Sequence, residues 1–231
     1  MKSSLWHAHG NTYLLVENER LTAERARNLS AEHRTDGVLE VLAADGTEAE
    51  IAIWNPDGSR AELSGNGTRI AARWLIDSTG ADEVSIVVGS RVTTARRVGG
   101  LVEQDLGPVG VGEPVVIEGL ELVRVSVGNP HAVVLDDPAK VSVIGPLLER
   151  HPRFPDGTNV QVARIDGPGR VTARVWERGV GETTSSGTSA VAVAAATHGE
   201  GAVDVTFPGG TLGVRIENGR AYLTGPAERV R

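Results

Sequence analysis

Short runs in which apolar residues predominate or alternate with polar ones recur along most of the chain and are separated by glycine-rich turns. Leu5–His9 and Tyr13–Glu17 are two such runs, with Gly10 and Asn11 between them. Such short runs predict buried or half-buried β-strands, and turn residues between the runs predict tight connections. The same pattern predicts further strands at 38–42, 50–54, 84–88, 91–96 and 101–106, and then at 123–127, 131–135, 159–165, 171–176, 203–207, 212–216 and 221–224.

Helices are predicted at only four places. Two are amphipathic segments at 22–30 and 143–150, and two follow small-residue turns, at about 68–77 and at 190–196. The last is built only of alanine and valine, which predicts a buried helix. The first N–H groups of a helix lack partners and carry the positive end of its dipole, so such a turn can seat an anion. A simple N-cap is the commoner meaning of one such turn taken alone.

The same order of elements occurs twice. Trp54 lies ten residues before Ser64, and Trp176 lies ten residues before Ser186. Equivalent landmarks lie 118 to 122 residues apart, namely Gly10 with Gly128, Ser64 with Ser186, Leu106 with Thr224, and Pro108 with Pro226. Solenoid repeats are far shorter, so this period indicates duplication of a whole domain.

The duplication predicts an α+β fold of two pseudo-symmetric domains, each a mixed β-sheet wrapped around a central helix. The expected domains are residues 1–110 and 111–231, joined near Val109–Pro114, and the last few residues are candidates to return to the first domain. Ligand sites favour domain interfaces, so we expect the active site in the interdomain cleft.

Composition narrows the function. The net charge is −7, which argues against nucleic acid or an anionic membrane as a partner, and no apolar run is long enough to span a bilayer. We therefore expect a cytoplasmic protein. The chain has no cysteine, which excludes disulfides, thiolate metal sites and thiol nucleophiles. His7, His9 and His33 lack the spacing of a metal site, so no metal is expected.

Seven segments in order carry a resemblance to a known family. They are H-G-N-T, W-N-P-D-G-S, S-G-N-G-T-R, V-G-N-P-H, the region of Asn159, W-E-R-G-V-G-E-T and T-G-P-A. Together they cover essentially the whole chain and resemble the diaminopimelate epimerases. The resemblance implies the two-domain fold that the repeat predicts independently. It also implies an isomerase that needs no cofactor and acts on a small amino-acid substrate, and a homodimer.

In that family two cysteines face each other across the cleft, one removing the α-proton of the substrate and the other returning a proton to the opposite face. The matching positions in this chain are Ser64 and Ser186. A free thiol has a pKa near 8.5, and an alcohol starts several units higher, with each unit costing about 1.36 kcal/mol. A serine can therefore act as the base only if a neighbour takes its proton.

The positions that hold the substrate in the family are matched better in this chain than the two cysteine positions. The resemblance assigns Arg178 to a carboxylate and Glu177 to an ammonium group, although an adjacent Glu-Arg pair alone is usually a solvated surface pair. It assigns substrate contacts also to Asn11, Asn55, Asn129 and Asn159, and backbone anion seats to Gly65, Asn66, Gly187 and Thr188.

Two other residues are candidates for the proton transfer. Asp36 falls near the place where the related phenazine-biosynthesis isomerase carries its acidic base, although an aspartate before a glycine is also a common turn residue. His131 has the right intrinsic pKa for a proton shuttle, and it could equally be a packing or hydrogen-bonding histidine.

Three functions are compatible with these residues. The first is epimerisation or racemisation at the α-carbon of a polar amino acid. The second is a lyase, dehydratase or cyclase reaction on the same scaffold, with Ser64 and Ser186 as relay or oxyanion-stabilising groups. The third is a non-catalytic amino-acid binder that keeps the substrate contacts without the thiols.

Overall fold

The computed structural model describes residues 2–61 and 64–230. The chain divides into two compact units, the first formed by Met1–Gln104 with Thr224–Arg231 and the second by Asp105–Leu223. No helix among the described residues has the length and apolar character needed to cross a membrane.

The first unit is a mixed sheet with two helices. Its elements, in chain order, are β1 (Lys2–Ala8), β2 (Asn11–Glu17), α1 (Ala23–His33), β3 (Gly37–Asp45), β4 (Glu48–Trp54), β5 (Arg60–Ala61), α2 (Gly65–Thr79), β6 (Glu83–Val88), β7 (Arg91–Val98) and β8 (Leu101–Pro108). The pairs β1–β2, β3–β4, β6–β7 and β7–β8 are antiparallel, whereas β2–β3 and β4–β6 are parallel.

The second unit repeats this order. Its elements are β9 (Gly110–Ile117), β10 (Leu120–Ser126), β11 (Pro130–Leu135), a 3-10 turn (Pro138–Lys140), α3 (Val141–Glu149), β12 (Asn159–Gly167), β13 (Arg170–Glu177), β14 (Gly181–Thr183), α4 (Gly187–Thr197), β15 (Gly201–Phe207), β16 (Gly210–Glu217) and β17 (Arg220–Gly225). The pairs β10–β11, β12–β13 and β15–β16 are antiparallel, and β11–β12 and β13–β15 are parallel, as in the first unit. The predicted α+β class with two pseudo-symmetric domains is confirmed.

One long helix fills the core of each unit. In α2 the apolar side chains of Ile70, Leu75 and Ile76 are buried against the sheet of the first unit. In α4 eight of eleven residues are buried, and its alanine and valine side chains let the surrounding strands approach closely. Both helices are thereby held by packing along most of their length, which fixes the position of their N-termini.

The C-terminal segment packs with the first unit. Ala227 is part of the core that contains α2. The last strand, β18 (Glu228–Arg229), pairs antiparallel with β1. The Val230 N–H donates to the Leu5 carbonyl at 2.8 Å.

Three local features differ from the sequence-based expectations. Helices α2 and α4 begin at Gly65 and Gly187, three residues earlier than predicted, because each starts directly after its serine. The expected join at Val109–Pro114 lies largely inside strand β9, which pairs with β10. Its glycines and Pro114 hide the alternation that marks the other strands. The division between the units falls between Gln104 and Asp105.

Candidate active site

The two predicted serines occupy equivalent positions with different hydrogen bonds. Ser64 is the N-cap of α2, and its Oγ accepts the Gly67 N–H at 3.0 Å. Ser186 is the N-cap residue of α4 with the same extended backbone, but its side chain makes no capping bond. The first N–H groups of α4 therefore receive no side-chain cap from Ser186, and its hydroxyl is available for another partner.

That partner is Glu177, at the end of β13. Its carboxylate accepts a hydrogen bond from the Thr183 hydroxyl and interacts with the hydroxyl of Ser186. Burial raises the pKa of Glu177 above its usual value, and the two hydroxyls oppose the rise only in part. A carboxylate that is more basic than usual thus lies next to the serine that begins α4.

The turn that carries Glu177 is hydrogen-bonded to helix α3. Glu149, at the C-terminal end of α3, accepts the Trp176 indole N–H at 2.8 Å and the Gly179 N–H at 2.7 Å. These bonds lie on either side of Glu177 and Arg178 in the chain. They also lower the pKa of Glu149, so it stays ionised at neutral pH.

In the first unit, Ser64 has a phenol as its neighbour. The Tyr13 hydroxyl lies 3.0 Å from Ser64 Oγ, and Tyr13 is buried on β2. Because the Gly67 N–H also donates to this oxygen, Ser64 is held from two sides.

A buried arginine orients two asparagines of the first unit. The Arg69 guanidinium is fully buried and donates to Asn66 Oδ1 at 2.7 Å and to the Pro226 carbonyl at 3.0 Å. Asn66 Nδ2 then donates to Asn11 Oδ1. Since Asn11 uses its oxygen here, its NH₂ group is left to serve a ligand. Burial lowers the pKa of Arg69 to about 10, and the group stays charged at neutral pH.

The second unit contains a comparable chain. Gln161 Nε2 donates to His131 Nδ1 at 3.0 Å, so the ring proton sits on Nε2, which donates to Asn129 Oδ1 at 2.9 Å. The Asn129 NH₂ group lies 3.5 Å from Thr188 Oγ1, near the start of α4. Burial lowers the pKa of His131 to about 3, which makes the ring neutral. This geometry favours a positioning role, and the role of His131 in proton transfer stays a prediction.

The side chain of Asn159 is hydrogen-bonded to the backbone of Arg178. Asn159 Oδ1 accepts the Arg178 N–H at 3.0 Å, and its Nδ2 donates to the Pro130 carbonyl at 3.0 Å. Arg178 is exposed, and one guanidinium nitrogen donates to the Asp156 carbonyl. Its remaining donors can meet a carboxylate.

Two residues predicted to belong to the site, Asn55 and Asp36, have other hydrogen-bond partners. Asn55 donates from its amide to Ser59 Oγ at 2.9 Å, within the turn after β4. Asp36 is exposed, and its carboxylate accepts the Thr12 N–H at 2.7 Å. Among the described residues, neither side chain is hydrogen-bonded to Ser64 or Ser186, and their predicted roles stay predictions. Among the described residues, no group of three or more histidines and carboxylates could hold a metal ion.

Several residues of the site were not predicted from the sequence. Tyr13 could have been found from the repeat, because it lies 118 residues before His131. Arg69 ends the S-G-N-G-T-R segment but was assigned no role there. Gln161 and Glu149 carried no motif, and only the sheet register and helix packing bring them to the site. Ser185, directly before Ser186, has a buried hydroxyl without a hydrogen-bond partner among the described residues.

Comparisons with known proteins agree with this fold. The family model described as diaminopimelate epimerase matches residues 123–230. A diaminopimelate epimerase from Synechocystis sp. is 34% identical, covering 98% of this chain and 96% of the relative. One from Desulfitobacterium hafniense is 36% identical, covering 84% of this chain and 80% of the relative.

Two solved structures share the fold. A phenazine biosynthesis protein from Enterococcus faecalis has a TM-score of 0.75 at 13% identity, covering 99% of this chain and 96% of that chain. A hydroxyproline epimerase from Agrobacterium vitis has a TM-score of 0.64 at 16% identity, with 99% and 88% covered.

The fold and the sequence relatives together define an isomerase of the cofactor-independent epimerase and racemase class. The chain belongs to the diaminopimelate epimerase family. Within that family it carries serine at the two positions, 64 and 186, where the resemblance places the catalytic cysteines.

Proposed function

We propose that this protein inverts the configuration at the α-carbon of an amino acid by removing and returning a proton. Diaminopimelate, after which its relatives are named, is the first candidate substrate. The observation that carries the proposal is the interaction of the Ser186 hydroxyl with the buried Glu177 carboxylate, because it supplies the base that an isolated serine lacks.

Ser186 acts as a proton relay between the substrate and Glu177. As Ser186 Oγ takes the proton from the substrate carbon, its own hydroxyl proton moves to the Glu177 carboxylate. The C–H bond and the original Ser186 O–H bond break, while a new Ser186 O–H bond and a Glu177 O–H bond form. The electron pair stays on the substrate, delocalised from the α-carbon into the carboxylate. The raised pKa of Glu177 makes it a better proton acceptor than an ordinary carboxylate.

The start of α4 stabilises the charge that develops. Gly187 and Thr188 are its first two residues, and their N–H groups lie among the orphan donors of the helix. Such preorganised donors bind the oxygen of an enediolate more strongly than that of the ground state. Asn129 adds its amide beside Thr188, and Arg178 supplies a positive charge for a carboxylate.

The other two candidate functions are not favoured. The relatives that cover nearly the whole chain are epimerases, and the Ser186–Glu177 pair gives a serine-containing site a route for the proton. The position of the active site between two domains, the cytoplasmic location and the homodimer stay expectations of this proposal. Light scattering on the purified protein would test the last.

The test compares Glu177→Gln and Ser186→Ala with Glu182→Gln in an α-proton exchange assay in deuterated solvent. Glu182 is an exposed carboxylate on the adjacent strand that pairs with Arg174, so its variant controls for loss of charge. We expect each of the first two variants to lose about 10²–10⁴-fold in exchange rate, the usual share of a positioned acid–base group, and the control to keep the wild-type rate. Wild-type rates in Glu177→Gln and Ser186→Ala would contradict the proposal.

A further inference from the structure

Ser64 has a hydrogen-bonding arrangement that defines where its own proton can go. Its Oγ accepts the Gly67 N–H at 3.0 Å and lies 3.0 Å from the hydroxyl of Tyr13. A phenol, with a pKa near 10, is a stronger acid than an aliphatic alcohol and is therefore the better donor of the pair. When Tyr13 donates, both lone pairs of Ser64 Oγ are engaged and its O–H is directed to a third partner.

We propose that Tyr13 is the proton-holding partner of Ser64, so that Ser64 returns the proton to the substrate carbon and is itself reprotonated by the phenol. This inference deepens the proposed epimerisation and rests on it. Tyr13 acts through Ser64, which makes it a positioning residue and not one that contacts the substrate carbon.

The Tyr13 ring fits against β3 only because the residue opposite it, Gly37, has no side chain. Tyr13 on β2 is the register partner of Gly37, the first residue of β3. A Cβ at Gly37 would lie 2.6 Å from Tyr13 Cε1 and 2.7 Å from the Trp54 carbonyl oxygen. The backbone carbonyl cannot move away cheaply, so a larger residue would displace the ring and its hydroxyl from Ser64.

The duplicated position in the second unit shows that this contact is particular to Tyr13. His131 holds the same register place, paired with Asn159 as Tyr13 is paired with Gly37. His131 uses both ring nitrogens on Asn129 and Gln161. His131 therefore orients the amide of Asn129, whereas Tyr13 at the equivalent position is hydrogen-bonded to Ser64 itself.

The proton balance of the step is complete. The Ser64 O–H bond breaks as the substrate C–H bond forms, using the electron pair of the carbanion. The Tyr13 O–H bond then breaks as a new Ser64 O–H bond forms, leaving a phenolate. That phenolate regains a proton from solvent, or serves as the base when the opposite stereoisomer reacts. A phenolate is several pKa units more stable than the serine alkoxide that would otherwise form.

The experiment uses the fact that the chain has only two tyrosines, Tyr13 and Tyr222. Tyr222 stacks with Arg215 in the second unit, so Tyr222→Phe keeps the ring and serves as the matched control. For Tyr13→Phe we expect kcat to fall about 10²-fold, with KM changed less than about 3-fold. Tyr222→Phe should keep both constants.

Fluorotyrosines then separate proton transfer from packing. In the Tyr222→Phe background, Tyr13 is the only tyrosine and can be replaced by a series of fluorinated tyrosines that retain the hydroxyl. We expect the basic limb of the kcat–pH profile to shift downward in parallel with the phenol pKa of each analogue. Full activity in Tyr13→Phe, or a profile that does not move across the series, would overturn the role of Tyr13. A wild-type protein that exchanges no α-proton of any amino acid would overturn the proposed function itself.

Discussion

Each of the two serines has a more acidic group beside it, a carboxylic acid next to Ser186 and a phenol next to Ser64. A thiol can ionise by itself near neutral pH, whereas an alcohol needs a neighbour to take or give its proton. We infer that the acidity which the family places in sulfur is supplied in this chain by Glu177 and Tyr13. The acidic group is then one hydrogen bond away from the reacting oxygen, which keeps the sequence position of the family's sulfur.

The raised pKa of Glu177 predicts a pH-dependent stability effect. A carboxyl whose folded pKa lies above its unfolded value favours folding while protonated, and this contribution is lost as the pH rises through the folded value. Glu177→Gln removes the penalty on the ionised form. The difference in Tm, variant minus wild type, should therefore be more positive at pH 8 than at pH 4. Thermal unfolding across that range measures it, and a difference that falls with pH would contradict the account.

At the scale of elements, α3 and β13 together hold the turn that carries Glu177 and Arg178. Gly145 of α3 lies so close to Trp176 that a Cβ would come within 2.5 Å of the indole. This contact puts Glu149 within reach of both the indole and Gly179. The turn that carries Glu177 and Arg178 is thereby fixed to α3.

Glu149→Gln tests this attachment. The variant keeps the shape of the side chain and loses the charge that strengthens both bonds, so we expect KM to rise several-fold while kcat changes little. The lowered pKa of Glu149 contributes stability above its unfolded value, and that contribution is lost as the pH falls through the folded value. The loss of Tm in the variant should be larger at neutral pH than at pH 3. An equal loss at both pH values would argue against this role of the charge.

Much of this arrangement follows from local sequence. The small-residue turns predict a helix after each of them, because short polar residues cap and glycine lets the chain turn. The two helices begin three residues earlier than expected, directly after Ser64 and Ser186. The repeat of about 120 residues predicts the two-fold architecture. The neighbours of the serines were not predicted, because Tyr13 and Glu177 reach them through sheet register and a turn whose geometry no local pattern defines. Strand β9 was missed for a related reason, since pairing with β10 outweighs its poor strand composition.

At the scale of the whole molecule, the chain ends in the unit where it began. Arg69 is fully buried in the first unit, and it relies on the Pro226 carbonyl, near the C-terminus, as an acceptor. Its other bond orients Asn66, which orients Asn11. The last residues therefore contribute to the site geometry as well as to the core.

Deleting residues 226–231 should destabilise the protein strongly. The deletion removes β18, the buried Ala227 and one acceptor of the buried Arg69 guanidinium, and losing a hydrogen bond to a charged group alone costs about 1.5–3 kcal/mol. We expect Tm to fall by roughly 10 °C or more. Pro226→Ala keeps the carbonyl and is the control, with a much smaller change expected. Calorimetry that finds the two variants equally stable would contradict this role of the segment.

The central claim is that a protein with serines at both reacting positions still exchanges the α-proton of an amino acid. The most direct measurement is proton NMR of diaminopimelate incubated with the wild-type protein in deuterated solvent. We expect the α-proton signal to disappear while the inverted stereoisomer, labelled with deuterium at that carbon, accumulates. Tight binding of the amino acid with no deuterium incorporated would contradict the account, because the site would then hold a substrate that its hydroxyl groups cannot deprotonate.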